Sequence, residues 1–388
     1  MPTLSPTVRN MYLIEFAVTL AFWGMLISLT RLQAARAEKL RDPIRKAVEG
    51  ATGIKMTPPS GIGGWIQANW LHLYFAAMVT LMLVDIMYSM LHPGRTKAMR
   101  QATNNYFMFG FMAMMLGPVL GWLLWSWVMK QAVGAIRQRL LLGDYVGAIV
   151  RADNELRWLP RSRDFHFTRG TTLLLAWRLN EAEQALRTSI EVNPLDMLGG
   201  RSSPLRPNLA PLAAALGNLG HTLLALGRWR EATATFECTV TLVPAAIDSI
   251  EGLASALLRQ NLEPRRALGR IDQALELART AVQIPDGLKH TISYLQADRA
   301  QALAMLENFT EASVSLELAD VEVTDSVPFQ AGILWRRGQA LSLMSGADEA
   351  ATEFARAIEI DPNGLYGKLA ANALKACRRP SPSNLAHP

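Results

Sequence analysis

Apolar positions follow two regimes along the chain, and the change comes near residue 130. In the first third they form continuous runs: about 11–30 ("MYLIEFAVTLAFWGMLISLT"), about 70–91 ("WLHLYFAAMVTLMLVDIMYSML") and about 106–129 ("YFMFGFMAMMLGPVLGWLLWSWVM"). Each has roughly the 20 residues that a helix needs to cross hydrocarbon. Trp70, Tyr88, Tyr106, Trp125 and Trp127 sit near the ends, as interfacial aromatics do. The first run has no basic start and is followed by basic residues, so it reads as a retained span and not as a cleaved signal. The expectation is a membrane anchor over 1–130 with three transmembrane helices, then a helical domain over 131–378. A disordered tail over 379–388 follows, in the Pro/Ser-rich stretch "RRPSPSNLAHP".

Beyond residue 130 the apolar positions recur with a helical period, and the period is itself repeated. "REATATFECTVTLVP" and "DEAATEFARAIEIDP" share a skeleton: Glu231, Ala232, Phe236 and Pro244 in one, Glu349, Ala350, Phe354 and Pro362 in the other. Aligned on Pro160, Pro194, Pro244 and Pro362, units of 34 residues fall at 129–162, 163–196, 213–246 and 331–364. A further unit at 293–326 keeps Ala300, Ala312 and Leu316 without a closing proline, and 247–292 holds a longer, irregular pair. Packing explains the skeleton. Two helices approach closely where small residues face each other (Gly170 with Ala182, Gly220 with Ala232, Gly338 with Ala350), and Leu186, Phe236, Leu316 and Phe354 fill the gap to the next pair. The proline ends the second helix. One pair cannot bury its own apolar face, so pairs must stack. The Gly/Pro-containing stretch 197–212 reads as a long loop between units.

This pattern resembles the tetratricopeptide repeat (TPR) family over about 129–364. It is carried by Leu216, Leu219, Gly220, Leu223, Ala232, Phe236 and Pro244, and by Leu334, Gly338, Leu341, Ala350, Phe354, Ala357 and Pro362. The resemblance implies an all-α fold, a right-handed α-solenoid whose concave groove is lined by the first helix of each pair, closed by a capping helix near 365–378. It implies a partner-binding groove at Phe167, Thr171, His221, Leu224, Tyr294, Gln301, Trp335 and Gln339. The Lys and Asn that some members use to clamp acidic chaperone tails are not at these positions, which argues against a chaperone-tail receptor.

Composition agrees with an anchor joined to helices: 50% hydrophobic residues and 19% charged, with mean hydropathy +0.12. The net charge is +6, yet no compact Lys/Arg run with interleaved aromatics supports nucleic-acid binding. Two cysteines, Cys238 and Cys377, provide neither a disulfide framework nor a metal motif. Lys and Arg are concentrated in the loop after the first run and at the start of the repeats, which predicts an inner-membrane, multi-pass protein with cytoplasmic repeats. Residues 31–49 fit a basic helix along the membrane surface and, equally, a solvated extension of the first span.

Glu15 and Asp85 are the acids inside the apolar runs, and Gly117 with Gly121 has GxxxG spacing; these are the candidate intramembrane helix contacts. No nucleophile, metal or phosphate-loop motif occurs, so the expectation is a non-enzyme without cofactor or metal. The function this predicts is a membrane-anchored scaffold that recruits proteins through the groove, in contact with the bilayer and with other membrane subunits, in the assembly of a membrane complex. The alternative is a structural accessory subunit of a large membrane complex.

Overall fold

The computed structural model describes residues 41–56, 97–192, 209–260, 263–280, 286–344 and 346–377, with the side chains of 97–115, 118, 119, 122 and 286–288 left aside. Among the described residues every regular element is an α-helix. In chain order they are α1 (41–52), α2 (Lys97–Leu141), α3 (Tyr145–Trp158), α4 (Arg163–Leu175), α5 (Leu179–Glu191), α6 (Ala210–Ala225) and α7 (Trp229–Leu242). They continue as α8 (Ile247–Arg259), α9 (Pro264–Thr280), α10 (Asp286–Met305), α11 (Phe309–Leu318), α12 (Val327–Leu343), α13 (Ala347–Ile360) and α14 (Leu365–Cys377). The chain divides into two compact units, one of residues 1–42 and 58–131, the other of 43–57 and 132–388.

The second unit is a series of helical hairpins: α4 with α5, α6 with α7, α8 with α9, α10 with α11 and α12 with α13. The turns of four of these hairpins, and the turn between α2 and α3, are built alike. Asp144, Arg178, Arg228, Asn308 and Gly346 each donate a backbone N–H to the carbonyl five residues back, on Arg139, Leu173, Leu223, Leu303 and Leu341. That bond is half of a Schellman turn, which satisfies carbonyls orphaned at a helix end and needs a left-handed residue just before the donor. Gly143 and Gly227 take that place at φ +77° and +76°, while Trp177 and Glu307 adopt φ 60° and 62° against their own steric preference. Where a unit closes with a proline, that proline ends its second helix. Leu159, Val243 and Asp361, each followed by proline, are pushed to φ of −131°, −136° and −135°, and the helices before them stop. Pro194 lies outside the described residues.

Packing within a hairpin differs in one respect from the small-on-small expectation. The glycine of the first helix receives the large residue of the second. A Cβ at Gly170 would lie 2.6 Å from Leu186, one at Gly220 2.6 Å from Phe236, and one at Gly338 2.6 Å from Phe354. Phe236 is also pressed against Gly252 of the following hairpin, so one ring joins two repeats. An aromatic ring fills the space left by a missing side chain more completely than two alanines would. Ala182, Ala232, Ala312 and Ala350 are fully buried beside these contacts.

Two expectations are corrected here. The multi-pass membrane localisation is not upheld: among the described residues no helix is long and apolar enough to cross a membrane. The predicted span at 106–129 falls within α2, and its side chains at 106–115, 118, 119 and 122 lie outside the described residues. The runs at 11–30 and 70–91 lie outside the described residues. The second correction concerns the basic segment after the first run. Residues 43–56 join the repeat core: Ile44, Val48, Ile54 and Met56 are buried in the cluster that holds Leu186, Leu216 and Phe236. Arg187 Nη1 donates to the Thr52 carbonyl at 3.0 Å. The spacing of Ile44 and Val48 puts both on one helical face, and that face found protein to cover it.

Candidate partner-binding site

The groove positions read from the sequence divide in two. Phe167, Thr171, Leu224, Gln301 and Gln339 remain partly exposed. Thr171 Oγ1 accepts from Asn218 Nδ2 at 2.7 Å, tying α4 to α6. Tyr294 and Trp335 are instead buried, and His221 is nearly so. These three are brought together around a polar cluster that the sequence reading passed over.

At its centre is Arg336 of α12. Its Nη2 donates to Glu251 Oε1 of α8 at 2.7 Å, and its Nε lies 3.3 Å from Asp298 Oδ1 of α10. The side chains of Arg336, Glu251 and Asp298 are 4%, 3% and 3% exposed. Ser255 Oγ donates to Asp298 Oδ2 at 2.6 Å. The guanidinium also lies 3.9 Å from the Tyr294 ring centroid, a cation–π contact in a dry site. Arg259 stacks over Trp335 at 4.3 Å, and Tyr366 of α14 lies 5.8 Å from the same indole. His290 stacks flat on Phe329 at 3.8 Å, and Thr291 Oγ1 donates to Asp248 Oδ1 at 2.7 Å.

Burial dominates the titration of this cluster, with charge partners as the second influence. Burial raises Asp298 to about 7, aided by Glu251 and opposed by Arg336. Glu251 is equally buried, but Arg336 and His221 more than offset this and hold its carboxyl below the usual range. Desolvation lowers His221 and brings His290 down to about 4, so both are neutral at pH 7. Arg259 falls to about 10 through burial and the nearby Arg336 charge. The arrangement holds helices α8, α10 and α12 in register. Among the described residues no group of three or more His, Cys, Asp or Glu is placed to hold a metal ion.

A sequence signal for Arg336 and Asp298 existed. Each stands two residues before the small packing residue of its first helix, Gly338 or Ala300, as Asn218 stands before Gly220. This register carries polar residues that bond to neighbouring repeats. Of the intramembrane candidates, Glu15 and Asp85 lie outside the described residues. Gly117 and Gly121 are exposed, and a Cβ on either would meet nothing within 4 Å.

The hairpins, their common turn and the glycine-on-aromatic contact make this a tetratricopeptide-type array. The fold that the resemblance implies is thus upheld, and a membrane anchor is not shown among the described residues. No protein-family model and no curated protein matches the chain. Among solved structures it is similar to PilF of Pseudomonas aeruginosa at 17% identity, over 63% of this chain and 96% of that one, TM-score 0.38. It is also similar to TTC0263, a thermophilic TPR protein of Thermus thermophilus, at 23% identity over 55% of this chain and 100% of that one, TM-score 0.37. A third likeness is to the APC/C hetero-tetramer Cut9–Hcn1, at 12% identity over 79% and 55%, TM-score 0.45. All three are loose, and the assignment rests on the repeat packing described above.

Proposed function

We propose that the chain is a non-enzymatic protein-interaction scaffold that engages a partner through the outer face of α3. The observation that carries this is an apolar ridge. Leu142, Val146, Val150 and Trp158 are 71%, 75%, 54% and 84% exposed. Val146, Val150 and Trp158, with Asn154 completing the row, form one i,i+4 ridge on α3, and Leu142 stands in the turn just before the helix. Such a ridge fits the groove of a second helix. A shallow, open depression lined by Asn154, Arg157 and Trp158 lies at its end. The inner face of the same helix, Tyr145, Ala148, Ile149 and Ala152, is buried, so the ridge is rigidly backed. The deep groove positions Tyr294 and Trp335 are covered, which favours the outer surface in this conformation. A role in a membrane complex, as assembly factor or accessory subunit, would need spans that no described helix supplies.

The test is affinity capture from the native source with quantitative mass spectrometry, comparing wild type with Val146→Ser/Val150→Ser. Specific partners should be depleted at least five-fold in the variant while its circular dichroism is unchanged. An identical partner set in equal amounts would reject the ridge as the docking face.

A further inference from the structure

In an open solenoid each repeat touches its neighbours only, and the two ends stay apart. Here they meet. Tyr145, the first residue of α3, donates its hydroxyl proton to Asp361 Oδ2 at 2.9 Å, across 216 residues of chain. Both groups are buried. Leu140, Tyr145 and Ile149 from the first repeat belong to one apolar cluster with Leu365, Tyr366 and Ala370 of α14. Gly143, in the turn before α3, faces Val327 at the start of α12, where an added Cβ would stand 3.4 Å from Cγ1. The middle repeats have a core of their own, holding Leu216, Phe236, Ile250, Ile271 and Leu295.

We propose that this closure is a latch: the Asp361 turn and α14 clamp the last repeat onto the first, and release of the latch uncovers the concave face while the hairpins stay folded. The covered groups are Tyr294, Trp335 and the Arg336 guanidinium against Tyr366, with Arg259 stacked on Trp335. Three observations favour separable opening. Among the described residues, the polar part of the closing contact is one side-chain hydrogen bond between α3 and the Asp361 turn. Helix α14 buries only Leu365, Tyr366, Gly367 and Ala370 among its residues. The core of the middle repeats does not include it. Asp361 serves both as acceptor for Tyr145 and as the turn residue against which Gly364 and Gly367 fold, since a Cβ on either glycine would collide with it. One residue therefore sets both the position of α14 and its tie to α3. The proposal stands whether or not the α3 ridge is the partner surface.

The test is hydrogen exchange with mass spectrometry on the full chain, comparing wild type, Tyr145→Phe and Asn218→Ala. Tyr145→Phe removes only the hydroxyl and with it the side-chain donor to the Asp361 carboxyl. Loss of a buried bond of this kind changes a local opening equilibrium by roughly ten-fold or more. Amides of α14 and the first turn of α3 should exchange about ten-fold faster, with α6 to α9 unchanged. Asn218→Ala, which cuts the bond to Thr171 between neighbouring repeats, should leave α14 unchanged. Faster exchange in α14 and α6 to α9 by the same factor in Tyr145→Phe would show one cooperative core and overturn the latch. So would no change in α14.

Discussion

Replacing Arg336 with methionine would test whether the buried cluster is a structural pin. The substitution keeps an unbranched apolar stem and deletes the charge. It leaves Glu251, formerly bonded at 2.7 Å, and Asp298, at 3.3 Å, facing each other without a cation between them. The exposures of 3–4% mean that water does not reach in to compensate. Breaking one side of a buried ion pair costs about 3–5 kcal/mol. Loss of the stacking on Tyr294 adds about 1 kcal/mol. Against this, Asp298 already titrates near 7 and takes up a proton readily, which lowers the penalty. The expected destabilisation at pH 7.5 is therefore about 3 kcal/mol, read from the urea midpoint at unchanged slope. The sign of its pH dependence follows from the carboxylates. In wild type Glu251 is held below its unfolded value, so its stabilising share is present at neutral pH and fades as pH falls. Without Arg336 the buried carboxyls favour protonation, so acid relieves the variant. The difference between the two proteins should shrink by half or more from pH 7.5 to pH 5. A cost below 1 kcal/mol at pH 7.5, or one that grows in acid, would refute the reasoning.

Other outcomes follow from the same contacts. Gly252→Ala places a methyl within the Phe236 ring, and overpacking of that kind should cost about 1–3 kcal/mol by denaturant titration. Phe236→Ala empties a fully buried site shared by two hairpins and should cost about 3–5 kcal/mol; a value near zero would deny that the ring joins them. Asp298 is raised to about 7 when folded, so the folded state holds a proton that the unfolded chain releases near 4, and stability must fall as pH rises between the two. Asp298→Asn should flatten that fall in a series of thermal melts from pH 4.5 to 7.5; an unchanged slope would assign it to other groups.

The repeat was legible because it is local. Glycine, the large residue 16 positions later and the closing proline all act within one hairpin, so their spacing survives in the linear text. The boundaries of α13 and of the capping helix could be read from Pro362 and the polar stretch beyond it for the same reason. The buried cluster was half legible: Asp298 and Arg336 share a repeat register, but their pairing with Glu251 depends on the irregular hairpin of 247–280, whose alignment the sequence leaves loose. The multi-pass localisation read from the apolar runs is not upheld, since among the described residues no helix is long and apolar enough to cross a membrane. The apolar spacing of Ile44 and Val48 gave a helix face without saying which surface it would meet.

By itself, then, the sequence determined the helical hairpin, its turn and its internal packing, since these are settled by residues a few turns apart. Only the tertiary structure decided that Tyr145 meets Asp361, that the concave positions Tyr294 and Trp335 are covered, and that residues 43–56 dock on the repeats. Those outcomes depend on how small rotations between successive hairpins accumulate along the stack. No single repeat encodes that sum.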